Sequence, residues 1–166
     1  MKDGHPLLVR ADQVQAGLHT FRHPWNPNSE ITGARLGRML GLRRTGVNFT
    51  TVPPGKESFV YHAHHLEEEW IYILSGRGVA EIDGEVFEVG AGDFMAFPAT
   101  GVAHHLVNAG DQDLVYLCGG EHREAEIVDF PRLGKRSVRT GDTVEVFDRP
   151  GTPPPGSPAS DAGTAR

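Results

Sequence analysis

The stretch His62-Ala63-His64-His65-Leu66-Glu67-Glu68-Glu69-Trp70-Ile71-Tyr72-Ile73-Leu74 decides how this chain is read. Along a β-strand, side chains two residues apart share a face, so His62 and His64 project together. Glu69 opens the apolar run Trp70 to Leu74, which reads as the next strand. If that run folds back antiparallel, Glu69 lies beside the histidine pair. His104, much further along the chain, then arrives from a third strand. Three imidazoles and one carboxylate gathered this way have the look of a metal site inside a β-barrel.

Outward from this stretch, the chain alternates in short pieces. Arg35 to Leu42 and Val47 to Val52 read as strands joined by a turn at Arg44-Thr45-Gly46. Pro53-Pro54-Gly55 is a break, and Ser58 to His64 forms the next strand. Val79 to Ile82 and Val86 to Val89 flank Asp83-Gly84, a two-residue hairpin signal. Gly90-Ala91-Gly92-Asp93 is another turn, followed by Phe94 to Phe97, His104 to Asn108 and Leu114 to Cys118. Ala125 to Phe130 reads as an edge strand ended by Pro131. Val144 to Phe147 reads as a strand at the barrel's flank, or as an arm exchanged with a second copy. Nearer the N-terminus, Ala11 to Gly17 suits a single helical turn. His23-Pro24-Trp25-Asn26-Pro27-Asn28 is irregular, because its prolines remove donors and restrict their neighbours.

Many short strands, with 21 glycines and 12 prolines in 166 residues, predict an all-β sandwich or barrel. No internal repeat is visible, so one domain is expected, with an N-terminal extension over residues 1–33 and the barrel over 34–148. Residues 149–166 are rich in Pro, Gly and Ser with little to bury, and a disordered tail is expected there.

The formal net charge of −6 shows no bias toward polyanions. Arg35, Arg38, Arg43 and Arg44 cluster locally, as do Arg132, Lys135 and Arg136; solvated turns and strand edges account for both groups. No basic stripe with a reading element is present, so nucleic acid is not an expected partner. Cys118 is the single cysteine, which excludes an intramolecular disulfide framework and fits a reducing compartment. With no cleavable leader and no apolar stretch of membrane-spanning length, a cytoplasmic location without membrane attachment is expected.

Two motifs carry a family resemblance. Gly55, then His62-x-His64, four residues to Glu69 and six more to Gly76 resemble the first motif of the cupin superfamily. Gly92, five residues to Pro98, then Gly101, His104 and Asn108 resemble the second. The resemblance runs from about Val47 to Cys118. Gly55 precedes His62 by one residue more than the common spacing, and Pro98 to Gly101 carries one extra residue. Both departures fall in turns. The resemblance implies a cupin-type jelly-roll β-barrel with a metal inside, held by His62, His64, Glu69 and His104. Small cupins of this kind include proteins provisionally described as sugar phosphate isomerases.

Strand parity agrees with that ligand set. With His62 and His64 inward, Val60 is inward too, while Phe59, Tyr61 and Ala63 face away. Glu69, Ile71 and Ile73 face in; Trp70, Tyr72 and Leu74 face out, toward a second sheet, the N-terminal segment or another subunit. Glu67 has the right parity but sits in the turn, and Glu68 points the wrong way. His104, Leu106 and Asn108 share a face, and the spacing to Asn108 selects His104 over His105. His65 and His105 are read as neighbours that are not ligands. His5, His19, His23 and His122 are read as loop or surface residues, Cys118 as a small buried hydrophobe, and Tyr61, Tyr72 and Tyr116 as packing residues.

Neutral imidazoles with one carboxylate suit one divalent transition metal such as Fe, Mn, Ni or Zn and disfavour an all-oxygen Ca or Mg site. The function expected is a metal-dependent enzyme acting on a small molecule, of isomerase, epimerase or dioxygenase type. The alternative is a metal-containing binding or sensor module without turnover. A phosphorylated substrate would need cations at the barrel mouth, for which Arg38 or Lys56 could serve. A homodimer covering part of the outer face is expected.

Overall fold

Fifteen helices and strands, with one 3-10 turn, follow one another in a computed structural model that describes residues 4–149. The chain begins with α1 (Ala11–Ala16), β1 (His19–Phe21), β2 (Ile31–Ala34), α2 (Leu36–Met39) and β3 (Thr45–Val52). Next come β4 (Ala63–His64), β5 (Glu69–Ser75), β6 (Arg77–Ile82), β7 (Glu85–Gly90), β8 (Phe94–Phe97) and β9 (His104–Val107). It ends with β10 (Leu114–Glu121), β11 (Ala125–Phe130), β12 (Lys135–Thr140) and β13 (Thr143–Asp148). The strands pair in three sheets: β1-β2-β3-β10-β5-β8, β13-β12-β11-β4 and β7-β6-β9. Together they form the all-β jelly roll that the sequence predicts. Arg149 closes the described part of the expected tail, and residues 150–166 lie outside the described residues.

Alternation along the strands builds the interior. Ile71 and Ile73 of β5, Leu106 of β9 and Leu114 and Tyr116 of β10 are buried against Val52 and Phe97. Each fully buried aliphatic side chain adds about 1.5–3 kcal/mol by transfer from water. Asn108 is fully buried and clamps the loop after β9: its Nδ2 donates to the carbonyls of Val52 and Gln112, both at 2.8 Å, and its Oδ1 accepts from Gly110 N. The Asp83-Gly84 signal is confirmed, with φ of 51° and 82° in the two-residue turn joining β6 to β7.

Four local readings are corrected. Arg35 to Leu42 contains α2 rather than a strand: Leu36, Met39 and Leu40 also fit a helical spacing, and over so short a run the two periods are indistinguishable. Gly37 lets α2 press onto β3, because a Cβ there would sit 3.2 Å from Thr45 O and from Val47 N. Ser58 to His64 is not one continuous strand. Only Ala63 and His64 pair in a ladder, with β11, while His62 forms an isolated bridge to His104. The Ser58 hydroxyl accepts the Leu106 amide, replacing a backbone partner (3.1 Å). Phe59, read as facing away, lines the interior cavity beside His62 instead. Last, β11 is no edge, since β4 and β12 flank it. The polar sequence of β12 (Lys-Arg-Ser-Val-Arg-Thr) gave no strand signal. Within the segment read as an N-terminal extension, β1 and β2 hydrogen-bond onto the large sheet through β3.

The β11–β12 hairpin is pinned by Asp129. Its carboxylate, 4% exposed, accepts from Arg136 Nε (2.7 Å) and Nη2 (2.8 Å) and lies 2.9 Å from His65 Nε2 and from Arg149 Nη1. Burial alone would raise the Asp129 pKa, but the Arg136 and His65 contacts outweigh it and hold it low. A carboxylate depressed in this way stabilises the fold above its ordinary pKa and loses that contribution as pH falls through the lowered value. Asp129→Asn is therefore expected to cost about 1–3 kcal/mol at pH 7 and less at pH 3, below the ordinary carboxylate value, read by urea denaturation at both pH values. An equal cost at both would show that the charge is not the stabilising element.

Candidate metal centre

Three sheets contribute to one cluster. His64 comes from β4, with His62 just before it; Glu69 opens β5, and His104 opens β9. Glu69 was expected beside the histidine pair on a folded-back neighbour. It faces them instead from the large sheet, because β5 pairs with β10 and β8 and not with β4. Glu69 Oε2 lies 3.1 Å from His104 Nε2, 3.3 Å from His64 Nε2 and 3.8 Å from His62 Nε2. All four residues predicted from the sequence are thus brought together.

Local structure aims each ring. His62 Nδ1 donates to Val60 O (2.7 Å) and His104 Nδ1 to Val102 O (3.2 Å); a carbonyl can only accept, so each Nδ1 carries the proton. Phe97, directly across from Glu69 in the β5–β8 ladder, stacks on the His104 ring at 3.5 Å and 1°. The Gly101 amide donates to His64 O (3.1 Å), and with φ of 81° this turn suits glycine. His64 Nδ1 is buried without a hydrogen-bond partner and lies 3.4 Å from Glu126 Oε1.

Electrostatics follow from burial and proximity. Burial would raise Glu69, yet the imidazoles of His104, His62 and His64 hold its carboxyl well below the usual range. His62 is lowered, chiefly by burial, so it is neutral at pH 7. His64 is raised: burial opposes this, but Glu69, Glu126 and Glu67 prevail. With Nδ1 protonated and the ring neutral, His62 turns an unprotonated Nε2 toward an ionised carboxylate. Lone pairs that converge in this way repel one another unless a cation is shared between them, and a divalent ion suits that donor set. His62, Glu69 and His104 each offer a donor within 4.8 Å of the others.

The rivals are placed elsewhere. His105 points away, its Nδ1 3.6 Å from Glu81 and its Nε2 3.9 Å from Glu57. His65 binds Asp129. Glu67 accepts from Arg123 N (2.6 Å) and from Arg139 and, with His64 and Glu126, makes a second acidic group. Sequence reasoning missed Glu126, although parity carried the signal: Glu126, Val128 and Phe130 alternate, and Val128 and Phe130 line the interior. His23, read as a loop residue, is buried and lines the cavity. Burial, aided by Glu69, pushes the Cys118 thiol up to about 12, so it is no nucleophile at neutral pH.

The cluster floors a cavity of about 580 Å³. Its walls are largely apolar, with Phe21, Trp25, Phe59, Phe130, Val144 and Val146 prominent. Arg35 is the one cationic Arg or Lys side chain lining it among the described residues. Lys56 does not line it, and Arg38 lies in a separate, smaller pocket beside it.

Known proteins share this architecture. The Cupin domain family model matches residues 48–120, the span from β3 to β10 that holds all four clustered residues. A protein from Acidithiobacillus ferrooxidans, provisionally described as a sugar phosphate isomerase, is 34% identical, with a TM-score of 0.82 over 86% of this chain and 92% of that one. The chain belongs to the cupin superfamily. A second cupin, described as a sugar phosphate isomerase from Silicibacter pomeroyi, is 26% identical with a TM-score of 0.69, covering 74% of this chain and 79% of that one. An uncharacterized protein of Methanocaldococcus jannaschii is 37% identical over 82 residues, 47% of this cupin; the match spans 64% of that curated relative's length. No helix among the described residues is long and apolar enough to cross a membrane.

Proposed function

We propose that this cupin is a metal-dependent enzyme acting on a small molecule, with His62, His64, Glu69 and His104 holding one divalent transition metal: Fe, Mn, Ni or Zn. The observation that carries the reading is the convergence of three imidazole Nε2 atoms on Glu69 Oε2 at the floor of a largely apolar cavity. Bound there, the ion supplies Lewis acidity toward a substrate oxygen. The chain's own part is orientation. Val60 and Val102 fix two rings, Glu126 faces the third, and the apolar walls limit competing water. Isomerase or epimerase chemistry on a sugar phosphate is the reaction proposed, supported by the likeness to the A. ferrooxidans protein. The apolar walls favour a second reading, a dioxygenase acting on a less polar substrate.

Elemental analysis of the untagged protein tests the centre, and proton NMR of aldose and ketose phosphates against oxygen uptake with diols separates the two reactions. About one metal per chain with aldose–ketose interconversion is the expected result. Protein that stays metal-free after reconstitution with each ion overturns the reading. Metal retained without either turnover leaves a binding module. A homodimer and a cytoplasmic setting belong to the same proposal. The dimer rests on Tyr72, Leu74 and Phe94, which leave the outer face of β5 and β8 apolar and 40–61% exposed. The cytoplasmic setting rests on the lone Cys118.

A further inference from the structure

A second pocket, of about 190 Å³, is lined by Arg35, Arg38, Arg43 and His122 together with Gly46 and Asn48. Arg35 and Asn48 also line the large cavity, so the two spaces adjoin. The arginines come from the α2 turn and the loop before β3, and the close packing of Gly37 on Thr45 and Val47 holds that turn at the strand's end. Seven other basic side chains, Arg22, Arg123, Arg132, Lys135, Arg136, Arg139 and Arg149, sit within ion-pair distance of a carboxylate, while Arg10, Arg44, Lys56 and Arg77 have no such partner among the described residues but line neither pocket. Among the described residues, no carboxylate lies within that distance of Arg35, Arg38 or Arg43. The nearest acid to His122 is Glu67, 4.0 Å from its Nδ1. On a chain of net charge −6, three unpaired guanidinium groups converging on one concavity form an anion trap.

Its position relative to Glu69 is fixed by strand register. Gly46 pairs with Gly120, and Gly120 pairs with Glu69. Three residues abreast on neighbouring strands span two strand spacings, about 10 Å. Neither glycine carries a side chain, and Arg35 and Asn48 line both spaces.

We propose that Arg35, Arg38 and Arg43, with His122, bind the phosphate group of a phosphorylated small-molecule substrate whose other end reaches the His62–His64–Glu69–His104 cluster. This rests on the metal-dependent isomerase reading and assigns the phosphate a place in it. The sequence had offered Arg38 or Lys56 for that task; the structure puts Arg38 in the adjoining pocket and Lys56 in neither.

The subsite is testable without metal. Inorganic phosphate is titrated calorimetrically into the full-length, metal-stripped chain, and into Arg38→Gln, Arg43→Gln and Arg77→Gln. The last removes the same charge from an exposed residue that lines neither pocket. The expected result is saturable binding that weakens tenfold or more in the first two variants and stays within twofold in the third. Binding that is absent, or that falls equally in all three, overturns the subsite. A second titration uses the metal-loaded protein with ribose 5-phosphate and with inorganic phosphate. Tighter binding of the sugar phosphate supports a substrate subsite, while equal binding makes free phosphate the ligand and overturns it. Metal content, quantified on the same samples, reports separately on the metal centre, so loss of that reading would not mimic loss of this one.

Discussion

Replacing Glu69 with Gln is expected to abolish stable metal retention. The carboxylate is the one anion facing three imidazoles, and its removal leaves neutral donors with nothing to balance a divalent charge. His62→Ala, His64→Ala and His104→Ala each delete one donor and should weaken binding by roughly a hundredfold or more, beyond the 10–100-fold seen for supporting residues. Glu126→Gln belongs to that supporting class, since it faces His64 Nδ1 rather than the centre. His105→Ala should retain full metal, because its ring turns toward Glu57 and Glu81. Competition against a chromogenic chelator, with circular dichroism to confirm folding, measures all of these. Equal loss from the His104 and His105 variants would overturn the strand register.

The second large effect concerns backbone contact rather than chemistry. A Cβ on Gly120 would land on the Glu68 carbonyl oxygen and 3.1 Å from Glu69 Cα. Neither neighbour is a flexible side-chain end, so β10 and β5 must separate where Glu69 is positioned. Gly120→Ala is expected to cost about 3 kcal/mol, at the upper end for overpacking, and to weaken metal binding as well. The urea midpoint and the chelator assay read the two consequences on one sample. An unchanged midpoint would mean that the ladder gives way there without strain.

Much of the barrel was legible because its strands are short, alternating and separated by turn residues. The clearest cases were Asp83-Gly84, the apolar run of β5, and Phe94 to Phe97. The four clustered residues were legible because parity and motif spacing agreed on them. Three things stayed hidden, each for a physical reason. Leu36, Met39 and Leu40 satisfy two periodicities at once, so α2 could not be distinguished from a strand. Partner choice is a long-range property: nothing in residues 62–69 states that β4 pairs with β11 while β5 pairs with β10. Finally, β12 is held by cross-strand partners and by the Asp129–Arg136 pair, so its own polar sequence carries no signal.

The separate origins of the clustered residues would have a mechanical consequence. His64 belongs to the four-stranded sheet, Glu69 to the six-stranded sheet and His104 to the three-stranded one. An ion gripped by all of them is a rivet through the whole barrel, and the sheets cannot part while it stays. Since the unfolded chain cannot reproduce that grip, free metal at a hundred times its dissociation constant would deepen the folded well by about 2.7 kcal/mol. Metal supply in the cell would then set how long this protein survives, as well as whether it works.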